Sequence, residues 1–169
     1  MNVNHIISEL KKNKKVFSEL LNISNTELIT WKQNPDKWCL LEIVCHLCDE
    51  EREDFRARVQ KTLESPGEDP SPIDPVAWVK SREYIKQDYS TKLSEFLKER
   101  KASIKYLKSL REPDWDNYFE HPKFGKMTSK LFFTNWLAHD YLHIRQIIKL
   151  KFDYLAESTN EKLNYAGDW

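Results

Sequence analysis

The chain has 169 residues, 32% of them charged and 40% apolar, with 27 lysines and arginines set against 27 aspartates and glutamates. That length fits one domain over residues 1–169 with a sizeable core, and the zero net charge argues against nucleic acid as a partner, which ordinarily leaves a basic excess or stripe. No stretch approaches the ~20 apolar residues of a membrane span and none has the form of a signal peptide, so a cytoplasmic protein with no membrane partner is expected.

In chain order, the first helix is expected over residues 4–22, with Ile6, Ile7, Leu10, Phe17, Leu20 and Leu21 as its apolar positions. The dense basic run KKNKK at 11–15 falls inside it and reads as the helix's solvated face, with a nucleic-acid patch as the alternative. NISNTELITWKQNPDKW follows as a loop with room for one short helical turn, and a second helix is expected over 38–62. Cys39, Cys45 and Cys48 lie in it; three thiols crowded into ten residues argue against a disulfide framework and read as small core residues. The proline-rich segment ESPGEDPSPIDP makes residues 63–78 an irregular connection, long for a hairpin. A third helix is expected over 79–110, a loop over 113–124, a fourth helix over 128–150 and a tail over 151–169. No alternating run of useful length appears, so a sheet is not expected. Four amphipathic helices make an all-α four-helix bundle, and ~16 connecting residues are enough to span the ~30 Å of a bundle helix.

The chemistry concentrates in WLAHDYLHIRQI, residues 136–147. At about 100° per residue, with Phe132 at zero, His139 falls near −20°, His143 near 20°, Trp136 near 40° and Ile147 near 60°. Both histidines therefore sit in the middle of an apolar stripe, where two unpartnered imidazoles cost stability. A divalent ion satisfies two lone pairs at i and i+4 together; two hydrogen-bonded core histidines are the alternative. A third ligand must come from another helix, and His46 in the second helix is the natural candidate. Glu50 lies one turn beyond it, with Glu53 and Ala57 toward the same side and Phe55 turned 100° or more away, taking about 100° per residue. Glu50 reads as a general base, a fourth ligand or a solvated ion-pair partner. Cys45 and Cys48 point away from His46 on this wheel. Three histidines from two helices leave an open position, as catalytic sites do and closed structural sites do not.

The ordered set KW at 37–38, HLCDEERE at 46–53, GKMT at 125–128 and HDxxHxxQ at 139–146 resembles the DinB-like superfamily, which includes the YfiT-like proteins. The resemblance covers about residues 3–150. It implies a bundle with up-down-down-up connectivity and a long crossover between the second and third helices. It also implies a divalent metal, zinc or nickel, on His46, His139 and His143, and commonly a homodimer. Within such proteins some transfer low-molecular-weight thiols such as bacillithiol or mycothiol, and others isomerise maleylpyruvate with a thiol cofactor. The tail YAGDW at 165–169 resembles an ending common in the group, with its tyrosine and tryptophan expected to pin the C-terminus.

The reaction expected first is transfer of a bacillithiol-type thiol to an electrophile, with the metal holding a thiolate and Arg100 and Arg145 meeting a carboxylate of the thiol cosubstrate. Asp140 and Gln146 are expected to position ligands or close a helix contact. The alternatives are a metal-dependent hydrolase that activates water, with Glu50 relaying the proton, and a non-catalytic, metal-stabilised stress or interaction protein.

Overall fold

The computed structural model describes residues 2–70 and 72–167. Helix α1 spans Val3–Leu20, and the side chain of Asn2 caps it by accepting from His5 N at 3.0 Å. The short turn allowed for in the following loop is α2, Thr26–Thr30, capped by Asn25. The second long helix begins as α3 at Leu40–Asp49, where Glu42 Oε2 accepts from Cys39 N at 2.9 Å. It passes through a π-helical stretch at Glu50–Phe55 and continues as α4, Arg56–Glu64. Then come α5 (Pro75–Ser81), α6 (Tyr89–Ser109), the hairpin strands β1 (Tyr118–His121) and β2 (Gly125–Thr128), and α7 (Ser129–Thr159).

Two apolar clusters fix the chain directions. One gathers Ile6 and Leu10 from the start of α1, Val59 from α4, Leu107 from the end of α6, and Phe133 and Trp136 from the start of α7. The other gathers Phe17 and Leu21 from the end of α1, Leu40 and Val44 from the start of α3, Phe96 from the first half of α6, and Ile147 and Leu150 from further along α7. The first and fourth long helices therefore run one way and the second and third run the other: an up-down-down-up four-helix bundle. The second-to-third connection must return the length of the bundle. It does so over residues 65–88, anchored where Arg82 pairs with Asp49 and Glu53 and where Tyr84 OH donates to Asp49 Oδ2 at 2.8 Å.

Four expectations are corrected. The third long helix starts at Tyr89, not at 79, because Glu83 adopts a left-handed conformation (φ 47°) and Asp88 caps a new helix by accepting from Thr91 N; residues 79–81 belong to α5. A two-stranded antiparallel hairpin lies within residues 118–128, pairing Phe119 with Met127; strands of four residues are too short to show an alternating pattern. The fourth helix runs to Thr159 rather than 150, since no glycine or proline interrupts it before Asn160 turns left-handed (φ 53°). Tyr165 is fully exposed and pins nothing, and Trp169 lies outside the described residues.

A candidate three-histidine metal centre

His46 comes from the middle of α3, and His139 and His143 from successive turns of α7. Their Nε2 atoms converge: His46 to His139 is 3.2 Å and His139 to His143 is 3.0 Å. Ligand atoms ~2.0–2.1 Å from one ion lie roughly 3.3–3.4 Å apart at tetrahedral angles and about 3.0 Å apart at right angles. The observed spacing fits a common ion, and the three histidines form a cluster able to hold one. Hydrogen bonding among the rings leaves much unsatisfied, for His46 Nδ1 is buried without a partner. Burial pushes His46 down to about 3 and His139 down to about 2, with the neighbouring His143 adding to both. Burial also lowers His143, against the opposing hydrogen bond it makes to Gln146. All three rings are therefore neutral at pH 7 and present lone pairs, the form a cation requires.

Surrounding groups fix the rings. Gln146 Oε1 lies 2.8 Å from His143 Nδ1. An amide oxygen only accepts, so Nδ1 carries the proton and Nε2 is left free toward the centre. The Trp38 ring packs against His46 at 4.8 Å between centroids, and Phe55 packs against His139 at 4.9 Å. Phe55 corrects the helical-wheel reading, which had turned it away from His46. The π-helical stretch adds a residue to the turn and rotates the later positions of the helix by about 100°, bringing Phe55 onto Trp136 and His139.

Glu50 is 4% exposed, with Oε2 4.0 Å from His139 Nε2 and Oε1 buried without a partner. Burial raises its pKa to about 9, reinforced by the nearby Asp54. One turn away sits a second buried assembly that sequence reasoning missed. Arg100 is 1% exposed; its Nε donates to Glu51 Oε1 at 2.8 Å, and its two Nη atoms donate to the two oxygens of Asp140 at 2.7 Å each. Asn13 Nδ2 adds a bond to Asp140 at 3.0 Å, and Trp136 Nε1 donates to Glu51 Oε2 at 2.8 Å. Burial opposes the Arg100 charge, but Glu51 and Asp140 outweigh it and hold its pKa above the ordinary arginine value. The clamp joins α1, the π-helical stretch, α6 and α7 through residues adjacent to Glu50 and His139. Arg100 is accordingly a bundle clamp with its guanidinium already occupied, and it does not face a cosubstrate as expected. Asp140 closes this helix contact, and Gln146 holds the His143 ring.

Arg145, by contrast, is exposed and lines an open cleft of about 610 Å³ beside His143, together with Trp31, Lys37, Trp38 and Lys149. Lys149 pairs with Asp153. A smaller adjoining recess of about 350 Å³ is lined by both His46 and His143 and shares Lys37, Trp38 and Gln146 with the cleft. Cleft and recess thus reach His143 and His46 and carry two cationic side chains, Lys37 and Arg145, beyond the Lys149–Asp153 pair, with Asp36 in the recess. The three cysteines are buried core residues, and burial pushes their thiols up to about 11 (Cys39, Cys48) and 12 (Cys45), away from thiolate ligation.

Fold and site together define a four-helix bundle with a three-histidine cluster at the seam of its second and fourth long helices. The chain belongs to the DinB superfamily, whose sequence model matches residues 9–147. It is also similar in structure to YfiT from Bacillus subtilis, described as "a probable metal-dependent hydrolase with an unusual four-helix bundle topology", with a TM-score of 0.78 at 17% identity over 95% of this chain and 89% of that one. No curated protein sequence matched the chain. No helix among the described residues is long and apolar enough to cross a membrane.

Proposed function

We propose that this protein is a divalent-metal-dependent enzyme, holding zinc or nickel on His46, His139 and His143, that transfers a low-molecular-weight thiol of the bacillithiol type to a small electrophile. The observation that carries the reading is the cleft with Lys37 and Arg145 in its wall, which opens onto His143 and adjoins a recess lined by His46 and His143, two of the three converging imidazoles. A cation held there supplies Lewis acidity, lowering the pKa of a thiol at its free position and favouring the nucleophilic thiolate. The chain's own residues do the rest. Gln146 keeps the His143 lone pair directed inward. Arg145 and Lys37 bind a carboxylate of the cosubstrate, orienting its sulfur toward the histidines. Glu50 Oε1 takes up the proton released as the thiol ionises, because any added positive charge nearby lowers its raised pKa. The sulfur electron pair then forms the new bond to the electrophilic carbon, whose leaving group departs with its own pair. Trp38 and Phe55 shield the site from water.

A second reading, hydrolysis, is favoured by one observation: Glu50 is a buried carboxyl 4.0 Å from a candidate ligand, placed as a base for water. A homodimer and a cytoplasmic setting belong to the same proposal. The outer face of α7 offers the exposed apolar residues Tyr141, Ile148 and Leu155 for the dimer contact.

The test is conjugation of a thiol to a chromogenic electrophile by metal-loaded wild type and by His143→Ala, beside hydrolysis of activated esters and amides. Metal-dependent conjugation lost in the variant supports thiol transfer. Equal rates in the two proteins would end the proposal, and metal-dependent hydrolysis without conjugation would leave the second reading.

A further inference from the structure

The run KKNKK has no role in the metal centre, and taken alone it reads as a solvated helix face. The fold adds what the run does not show. Helices α1 and α6 pack side by side, antiparallel, with Lys11 and Lys108 on opposite lips of one groove. At about 100° per residue, Lys11, Lys14 and Lys15 lie on the side of α1 turned toward α6. Lys98, Lys101, Lys105 and Lys108 lie on the side of α6 turned toward α1. Lys14 is half-buried and the other six are exposed. None of the seven side chains has an ion-pair or hydrogen-bond partner among the described residues. The other polar positions on these two faces include Asn4, Ser8, Ser18, Ser90 and Ser94, and the exposed Glu19, one turn beyond Lys15, lies at their edge. The nearby glutamates point elsewhere: Glu9 pairs with Lys12, Glu95 with Lys92 and Glu99 with Arg56. A chain of zero net charge therefore concentrates seven positive charges along one seam. The α1/α6 seam lies across the bundle from the α3/α7 seam that holds the histidines.

We infer that this seam binds the phosphate backbone of double-stranded nucleic acid, independently of sequence. Three features select that partner. The charge forms a strip: Lys98 to Lys108 spans about 15 Å of helix axis, and the two rows lean toward a common groove, which suits a rod-like polyanion better than a plane of lipid headgroups. A duplex presents one charge per ~1.7 Å of its axis, enough to engage every lysine of the strip. The face carries no aromatic for base stacking and no arginine, asparagine or glutamine aimed at base edges from the strip's centre, so it favours duplex over single strand and reads no sequence.

The experiment is fluorescence anisotropy of a labelled 20-base-pair duplex of scrambled sequence against the full-length protein between 25 and 200 mM salt. With Z of about 5–7 phosphate contacts, the plot of log affinity against log salt has a slope of roughly −4.5 to −6. The triple variant Lys11→Gln, Lys101→Gln, Lys105→Gln, all at exposed positions, makes that slope shallower by about 3. His143→Ala, on the opposite seam, leaves duplex binding unchanged, which separates this inference from the proposed chemistry. Absence of binding at 25 mM salt would overturn it, as would an unaltered slope in the triple variant. Equal affinity for the single strand, or binding to phosphatidylserine-containing vesicles without binding to duplex, would also overturn it.

Discussion

Replacing Arg100 with methionine keeps most of the side chain's volume and removes only its charge and donors. In the structure that guanidinium makes paired bonds of 2.7–2.8 Å to Glu51 and Asp140, which are 2% and 0% exposed. The variant leaves two carboxylates buried side by side without a cation. Breaking a buried pair in this way costs about 3–5 kcal/mol. For a chain of this size each kcal/mol moves Tm by roughly 2–4 °C, so the midpoint falls by about 6–20 °C. Calorimetry or circular dichroism melts of the metal-free protein at pH 7 read the effect directly. The triple replacement Arg100→Met, Glu51→Gln, Asp140→Asn removes the stranded charges and recovers much of the loss, as a mutant cycle will show. A drop of less than about 2 °C in the single variant would refute the clamp's structural role, because it would mean that the carboxylates find water or another partner.

Two further predictions concern the metal centre. Gln146→Leu frees the His143 tautomer and lowers metal affinity by about 10–100-fold in chelator competition, with the fold intact by circular dichroism; unchanged affinity would show that the Gln146 contact orients nothing. The stability of the metal-free protein peaks near pH 6.5. Below that value the unfolded chain gains protons on histidines whose folded pKa values are depressed toward about 3 (His46) and about 2 (His139), so stability falls with pH by roughly 1.4 kcal/mol per unit for each. Above about pH 4.5 the opposite shift of Glu50, raised to about 9, makes the folded chain the better proton binder, so its contribution declines as pH rises toward 9. Urea melts at pH 4.5, 6.5 and 8.5 in the presence of chelator check this, and a monotonic rise across the three values would contradict it.

The histidines were legible because helical periodicity is local. The i,i+4 spacing of His139 and His143 on an apolar stripe needs only the sequence to place both rings on one face, and a facing helix supplies His46. The chain directions become legible once the length of the second connection is matched to the length of a helix. Arg100 was misread because its sequence neighbourhood, KERKAS, looks like any solvated lysine-rich turn; what buries it are Glu51 and Asp140, 49 and 40 residues away. Phe55 was misplaced for a different reason. The π-helical stretch leaves no mark in composition, and every angle taken past Glu50 at a uniform pitch carries its error. The hairpin at 118–128 was missed because its strands are four residues each, held by Phe119 packing on Phe132 rather than by an alternating pattern of their own.

The central claim is that three imidazoles share one ion with a coordination position left open. X-ray absorption on the protein reconstituted with zinc or nickel, alongside metal analysis, tests it most directly. The expected result is one ion per chain, three nitrogen scatterers at about 2.0–2.1 Å with imidazole multiple scattering, and at least one exchangeable light-atom ligand. Sulfur in the first coordination sphere of protein free of added thiol, a stoichiometry that survives loss of His46 and His143 together, or a shell filled entirely by protein atoms would contradict it.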